Sequence, residues 1–399
     1  MKLFKYIFLA LTLVIVVNQC KLPDNVNPKR ATQVPVETLF TNAEVAIFNQ
    51  IDLKDVNNNI NMLMVQYHQE TTYFDEARYN FIDRQIPDGY VTEFYRDALM
   101  DFKEATDILT AESWGGDPAQ TANMVAINDI LMALGFATVV DAFGDVPFTE
   151  ALKRNEGVEP VYDDARSVYD ACIASIDNAV NHLKNNSGGA GSYGVADVLY
   201  GGDTDMWAKF GASLMMRLGM RLADVDNAAA KAAVEKANAY GTFADMSENG
   251  YMVYSGVVPH VNTTYRNFIV NGRKDYLPTA TIIDIMDIKE SANHQLGLQD
   301  PRISHYFTKV DTAGNGNEED MIYLGAEAGK DGAQTYQLFS HFADVFFEPT
   351  FPAMIIDYVE VAFLKAEAAQ RGYNVGGTAE EHYNMGITAS CLYWGATQA

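Results

Sequence analysis

The chain is short of cysteine, tryptophan and positive charge. Of its 399 residues only 3 are Cys and 3 Trp, and 28 Lys and Arg face 53 Asp and Glu, a formal charge of −25. A deficit of that size makes nucleic acid or an anionic membrane surface a poor partner, because both are held through basic patches. Neither the cysteines nor the seven scattered histidines reach metal-site spacing. Cys172 follows Val168 by four and neighbours Ile173 and Ile176, the setting of a buried helical thiol. Gly189-x-Gly191-x-x-Gly194 matches the dinucleotide fingerprint in form, but no strand–turn–helix unit surrounds it, so it is set aside. No nucleophile motif is present, and no cofactor is expected.

What is abundant is tyrosine and phenylalanine, 22 and 21 of them, mostly required for packing. Residues 1–20 carry Lys2 and Lys5, then an apolar run from Tyr6 to Val17, ending at Cys20. That is the pattern of an export signal, and Cys20 just beyond it is expected to be a lipidation site. Pro23, Pro28 and Pro35 among polar residues make 21–40 a tether. Residues 41–399 are then read as one domain, large enough to bury a sizeable core.

Helical periodicity covers about Ala43–Glu70, Thr92–Ala111, a long run opening at Asp117-Pro118, Asp163–Lys184, Asp197–Arg221, Asp226–Tyr240 and Leu277–Lys289. A final pair follows, one helix led in by Pro352 and one opened by the capping box Thr378-x-x-Glu381. Trp207, Phe210, Leu214 and Leu218 share one face, so Trp207 is read as a core anchor. The long run after Pro118 stops at a rigid corner, where Gly144 can take φ > 0 and Pro147 cannot continue a helix. Asp141, Asp145 and Glu150 surround that corner, and Arg217 and Arg221, four apart, are placed to pair with them.

Asp141-Ala142-Phe143-Gly144-Asp145-Val146-Pro147-Phe148-Thr149-Glu150-Ala151-Leu152, with Trp114-Gly115-Gly116-Asp117-Pro118 before it, resembles the SusD/RagB family of outer-membrane nutrient-binding lipoproteins. Further likeness lies in Asp197–Arg221, in Asp300-Pro301-Arg302, and in the last helix pair, where Tyr383-Asn384-x-Gly386-Ile387-x-Ala389-Ser390 follows a Phe-Leu-x-Ala-Glu-Ala run. The resemblance implies a mostly α-helical fold of tetratricopeptide-like hairpins with long irregular loops. It implies a cell-surface lipoprotein on the outer membrane of a Bacteroidetes-type bacterium, without enzymatic activity. Such a protein captures an oligosaccharide or peptide and passes it to a SusC-like TonB-dependent transporter. The family pattern continues past this point with another helical segment, so a shortened or truncated member is expected.

Ligand residues are sought where helical period is lost, between Phe243 and Tyr276. Tyr251, Tyr254, Tyr265, Asn267 and Arg273 combine rings for stacking with groups that hydrogen-bond hydroxyls or a peptide backbone. The Asp311–Asp320 loop offers carboxylates to a structural calcium but departs from the twelve-residue calcium pattern, so metal ligands stay unassigned. Two other readings stay open. An all-α glycoside hydrolase needs two carboxylates flanking the bond, and 53 acids single out no pair. A helical-repeat scaffold would bind protein alone.

Overall fold

The structure, a computed structural model, describes residues 34–52, 57–153, 159–287 and 299–396. The leader, Cys20 and most of the expected tether lie outside the described residues. The first helix among the described residues, α1 (Val36–Asp52), already starts inside the stretch expected as tether. Next come β1 (His68–Glu70) and then α2 (Ile86–Glu93), which runs through a π-helical stretch, Phe94–Leu99, into α3 (Met100–Thr110). The centre is α4 (Pro118–Phe143), β2 (Val146–Pro147), β3 (Tyr162–Asp163), α5 (Ala165–Asn186), α6 (Thr204–Arg221) and α7 (Asn227–Tyr240). After β4 (Gly250–Met252), β5 (Tyr276–Pro278), α8 (Ala280–Asp287), α9 (Ile303–Tyr306) and β6 (Ala353–Ile356), the chain ends in α10 (Tyr358–Gln370) and α11 (Ala379–Tyr393). The fold is mostly α, as the sequence implied.

Some of the acids serve helix starts. Asp117, Asp164, Asp203, Asp226 and Asp357 each cap a helix by accepting backbone N–H groups of its first turn. The carboxylate satisfies orphan donors and favours the positive end of the helix dipole. The capping box at Thr378 and Glu381 opens α11.

Helices adjacent in sequence pack side by side, α4 on α5, α5 on α6, α6 on α7 and α10 on α11. Small residues set the spacing. A Cβ on Gly211 would sit 2.6 Å from Val180 of α5, and one on Gly386 would sit 2.9 Å from the Phe363 ring of α10. Helix α4 is long and apolar enough to cross a membrane, yet it is largely buried inside the fold. Around it Phe40, Phe48, Phe94, Phe102, Trp207, Phe210 and Phe243 are fully buried in one continuous core.

Asp197 is the polar centre of that core. It is 3 % exposed. One oxygen accepts from the N–H groups of Leu199 (2.9 Å) and Tyr200 (3.1 Å), the other from Gly202 N (2.8 Å) and Trp207 Nε1 (2.6 Å). Glu44 of α1, also buried, accepts from Val198 N at 2.9 Å. Burial and then the neighbouring Asp197 raise the Glu44 pKa well above the usual carboxylate range.

The Gly144 corner clips α4 to α5. Gly144 takes φ 77° and its N–H bonds Val140 O at 2.8 Å. Asp145 accepts from Ala165 N (2.9 Å), Glu150 from Val161 N (3.2 Å), and Pro147 O from the Tyr95 hydroxyl (2.6 Å). Arg221 pairs with Asp141, but Arg217 does not. Its guanidinium reaches Glu360 of α10 and donates to Ile355 O at 2.7 Å, because the last hairpin packs over that face of α6. Three other expectations are corrected. The periodic stretch Ala43–Glu70 is not one helix but α1, a short helical turn at 57–64 and β1. Leu277 belongs to β5, and the residues after Pro352 form β6 before α10 begins. In each case a strand paired far away in sequence overrides the local apolar pattern.

Asp197→Asn places an NH2 group against donors that all need an acceptor. The expected loss is about 2–4 kcal/mol of stability, read from the midpoint of urea unfolding at unchanged slope.

Candidate functional site

The loop Gln66–Gln85 is the least comfortable backbone in the described chain. Of five non-glycine residues with positive φ, four lie here: Gln66 (57°), Tyr73 (59°), Tyr79 (64°) and Gln85 (49°). Each such residue costs on the order of 1–3 kcal/mol and persists only where its surroundings over-determine it. Tyr73 and Tyr79 are nevertheless 59 % and 60 % exposed, so burial of their rings does not supply the compensation.

The surroundings do. Strand β1 pairs antiparallel with β5, His68 opposite Pro278 and Glu70 opposite Tyr276. Thr71 extends that ladder, its N–H bonding Asp275 O at 2.8 Å and its hydroxyl Lys274 O at 2.7 Å. Gly329 N donates to Gln69 at 2.6 Å, and Arg78 reaches Asp331 at 2.9 Å. Three segments from distant parts of the sequence, 71–85, 271–275 and 327–341, therefore meet on one face.

Beneath that face lies a buried ionic cluster. Arg84 contacts Glu76 at 2.9 Å and Glu70 at 3.5 Å, both carboxylates almost fully buried. The same guanidinium lies over the Tyr73 ring, 5.4 Å from its centroid. One face of Tyr73 thus rests on a cation that cannot deprotonate, and the other is open to solvent. Burial, then the adjacent Glu76, pushes the Glu70 carboxyl up to about 8. Tyr79 sits edge-on to Phe81 at 6.2 Å, and Tyr336 is stacked on His341 at 3.9 Å with Lys274 over it. Rigid aromatic rings beside amide, guanidinium and ammonium donors can stack on sugar rings and bond their hydroxyls.

The residues nominated from sequence separate. Arg273 lies at this face, exposed, bonded to Asp275 at 2.6 Å and within electrostatic reach of Tyr73. Tyr254 is a correction: it is 7 % exposed and its hydroxyl donates to Asn49 at 2.7 Å, so its ring is core. Tyr251 is half-buried in β4 opposite Met354. Tyr265 and Asn267 are half-buried in a short helical stretch capped by Asn262. Asp311 of the candidate calcium loop accepts from Gly314 N and Gly316 N, each at 2.7 Å. No cluster of three metal-ligating side chains occurs among the described residues. Tyr73 and Tyr79 are not among the residues the sequence singles out. Their signal in sequence was the aromatic crowding of 73–81 outside any helical period.

A family profile described as "Starch-binding associating with outer membrane" (SusD-like) matches residues 28–399. No curated protein matches the chain significantly. Among solved structures, a chitin-binding SusD homologue from Flavobacterium johnsoniae is 24% identical with a TM-score of 0.73, covering 91% of this chain and 71% of its own. A SusD homologue from Bacteroides vulgatus is 23% identical with a TM-score of 0.73, covering 91% and 72%. A SusD-like protein from Bacteroides thetaiotaomicron is 20% identical with a TM-score of 0.72, covering 91% and 71%. At these identities the likeness is one of fold.

Glu70 supplies a pH test. Its folded pKa of about 8 lies above its ordinary value of 4.5, so the folded state holds the proton more tightly. The stability this contributes is complete below about pH 4.5 and is lost as pH rises toward 8. Glu70→Gln is expected to flatten the fall in thermal midpoint across that window, measured by a scan at each pH.

Proposed function

The chain belongs to the SusD-like family, and from that premise we propose that it is a glycan-binding protein of the outer membrane surface. It takes an oligosaccharide on the face formed by Tyr73, Tyr79, Arg273, Lys274 and Tyr336. In this reading the protein is anchored through Cys20 and holds its ligand for a partner TonB-dependent transporter, performing no chemistry itself. The observation that carries it is the pair of exposed tyrosines held in left-handed backbone, one of them backed by Arg84. Residues held in strained backbone cluster at ligand clamps and active sites. The chitin-binding homologue supports a glycan over a peptide as ligand. Tyr251, Tyr265 and Asn267 are proposed to lie outside the primary contact.

Calorimetry with malto- and chito-oligosaccharides tests this. Tyr73→Ala is expected to weaken the bound glycan about tenfold or more. Tyr79→Gly relieves left-handed strain and should raise stability by about 1 kcal/mol while still weakening binding. Tyr251→Ala should leave affinity within about twofold, since it removes no contact of the size that defines a hot spot. Loss of binding in Tyr251→Ala, with Tyr73→Ala unaffected, would move the site to β4.

A further inference from the structure

A cavity of about 640 Å³ opens between the end of α1, β1, α8, α9, the 342–352 loop and α11, apart from the aromatic face. That volume suits a small organic ligand. Its wall is aromatic: Trp394 lies edge-on to Tyr306 at 4.7 Å and 5.4 Å from Phe346, and Phe342 packs 4.7 Å from His68.

The polar lining is unbalanced. Arg302 is the cavity's cation, and it is already matched, with Nη2 to Asp300 at 2.6 Å, Nε to the other carboxylate oxygen at 2.9 Å, and Nη1 to Ser390 at 2.7 Å. Asp52 and Asp357 also line the cavity and have no basic side chain bonded to them among the described residues. Asp357 spends one oxygen on the N–H of Glu360. Asp52 accepts from the backbone of Met354, while its Oδ2 is buried without a partner. Nδ1 of His68 is buried and unpartnered too, and burial lowers that imidazole to about 4, leaving it neutral. A buried polar atom left unpaired costs on the order of 1–3 kcal/mol, so Asp52 and His68 bring to the cavity wall hydrogen-bonding capacity that no described residue uses.

Aromatic rings thus line the cavity, Arg302 already lying 6.0 Å over that of Tyr306, and two acids without a basic partner sit among them, Asp52 pushed up to about 7 by burial. We propose that this cavity binds a small organic ammonium ion with an apolar body, its N–H donors directed at Asp52 and its cation held against the rings of Phe346 and Trp394. Aromatic cages recognise alkylammonium groups in this way, through the ring quadrupole. The chain's net charge of −25 raises the local concentration of such cations.

The test is a titration of the full chain with phenethylammonium and with its neutral counterpart phenethyl alcohol, followed by tryptophan fluorescence. Trp394→Phe assigns the signal, since Trp114 and Trp207 are the other two indoles. A saturable change with the ammonium is expected, absent in Trp394→Phe. It should be about tenfold or more weaker for the alcohol and for Asp52→Asn. Equal binding of alcohol and ammonium overturns the proposal, as does an unchanged signal in Trp394→Phe or no saturation by the folded native chain. The comparison of the two ligands uses the native sequence, so it decides the matter even where Asp52→Asn fails to fold.

Discussion

The fold depends on a carboxylate placed where water is absent. Asp197 gathers the N–H groups of its own loop and the indole of Trp207, and so decides where the largest buried ring of the core sits. Trp207 packs edge-on to Tyr200 at 5.4 Å and to Phe210 at 5.3 Å, and Phe210 meets Phe243 at 6.4 Å. A chain of aromatic contacts is thereby aligned by one acceptor. Glu44 of α1 joins the arrangement by accepting from Val198 N, and burial beside Asp197 raises its pKa. Burying a carboxylate among apolar rings is affordable only because its lone pairs are occupied.

The same logic recurs at the surface with a different outcome. Glu70 and Glu76 are buried behind Arg84, and their cluster stiffens a loop whose tyrosines face outward. In the core, polar satisfaction fixes packing. Under the aromatic face, it holds a backbone in conformations that its residues alone would not choose. A loop held this tightly presents rings already in position, so little ordering is left to oppose binding.

Local signals were legible in the sequence, and long-range ones were not. The run after Asp117-Pro118, the Gly144 corner and the Thr378 capping box are written in neighbouring residues, and they fold as their spacing implies. Strand β1 was not legible, because its partner β5 lies some two hundred residues away and the apolar pattern there also suits a helix. Arg217 had a visible candidate in Asp141, and nothing nearby announced that Glu360 would come closer. The candidate site was half legible. Arg273 stood out by residue type, whereas Tyr73 and Tyr79 are set apart only by backbone angles and by Arg84 beneath one of them. Tyr254 looked like its neighbours in sequence, yet it points inward to Asn49.

The buried apolar helix α4 has a consequence for biogenesis. On the export expected from the leader-like start of the sequence, its 26 residues present the length and composition of a membrane anchor before their neighbours exist. Lateral escape into lipid would strand the chain. Asn123, Asn128 and Asp129 lie within the segment, and an aspartate near the middle of a span opposes insertion by about 2.5–3.5 kcal/mol. In the folded protein Asn123 holds the carbonyls of Ser187, Ala190 and Gly191, and Asn128 accepts from the Tyr193 hydroxyl. The polar residues of α4 that tie the finished core together thus also set the segment apart from a membrane anchor.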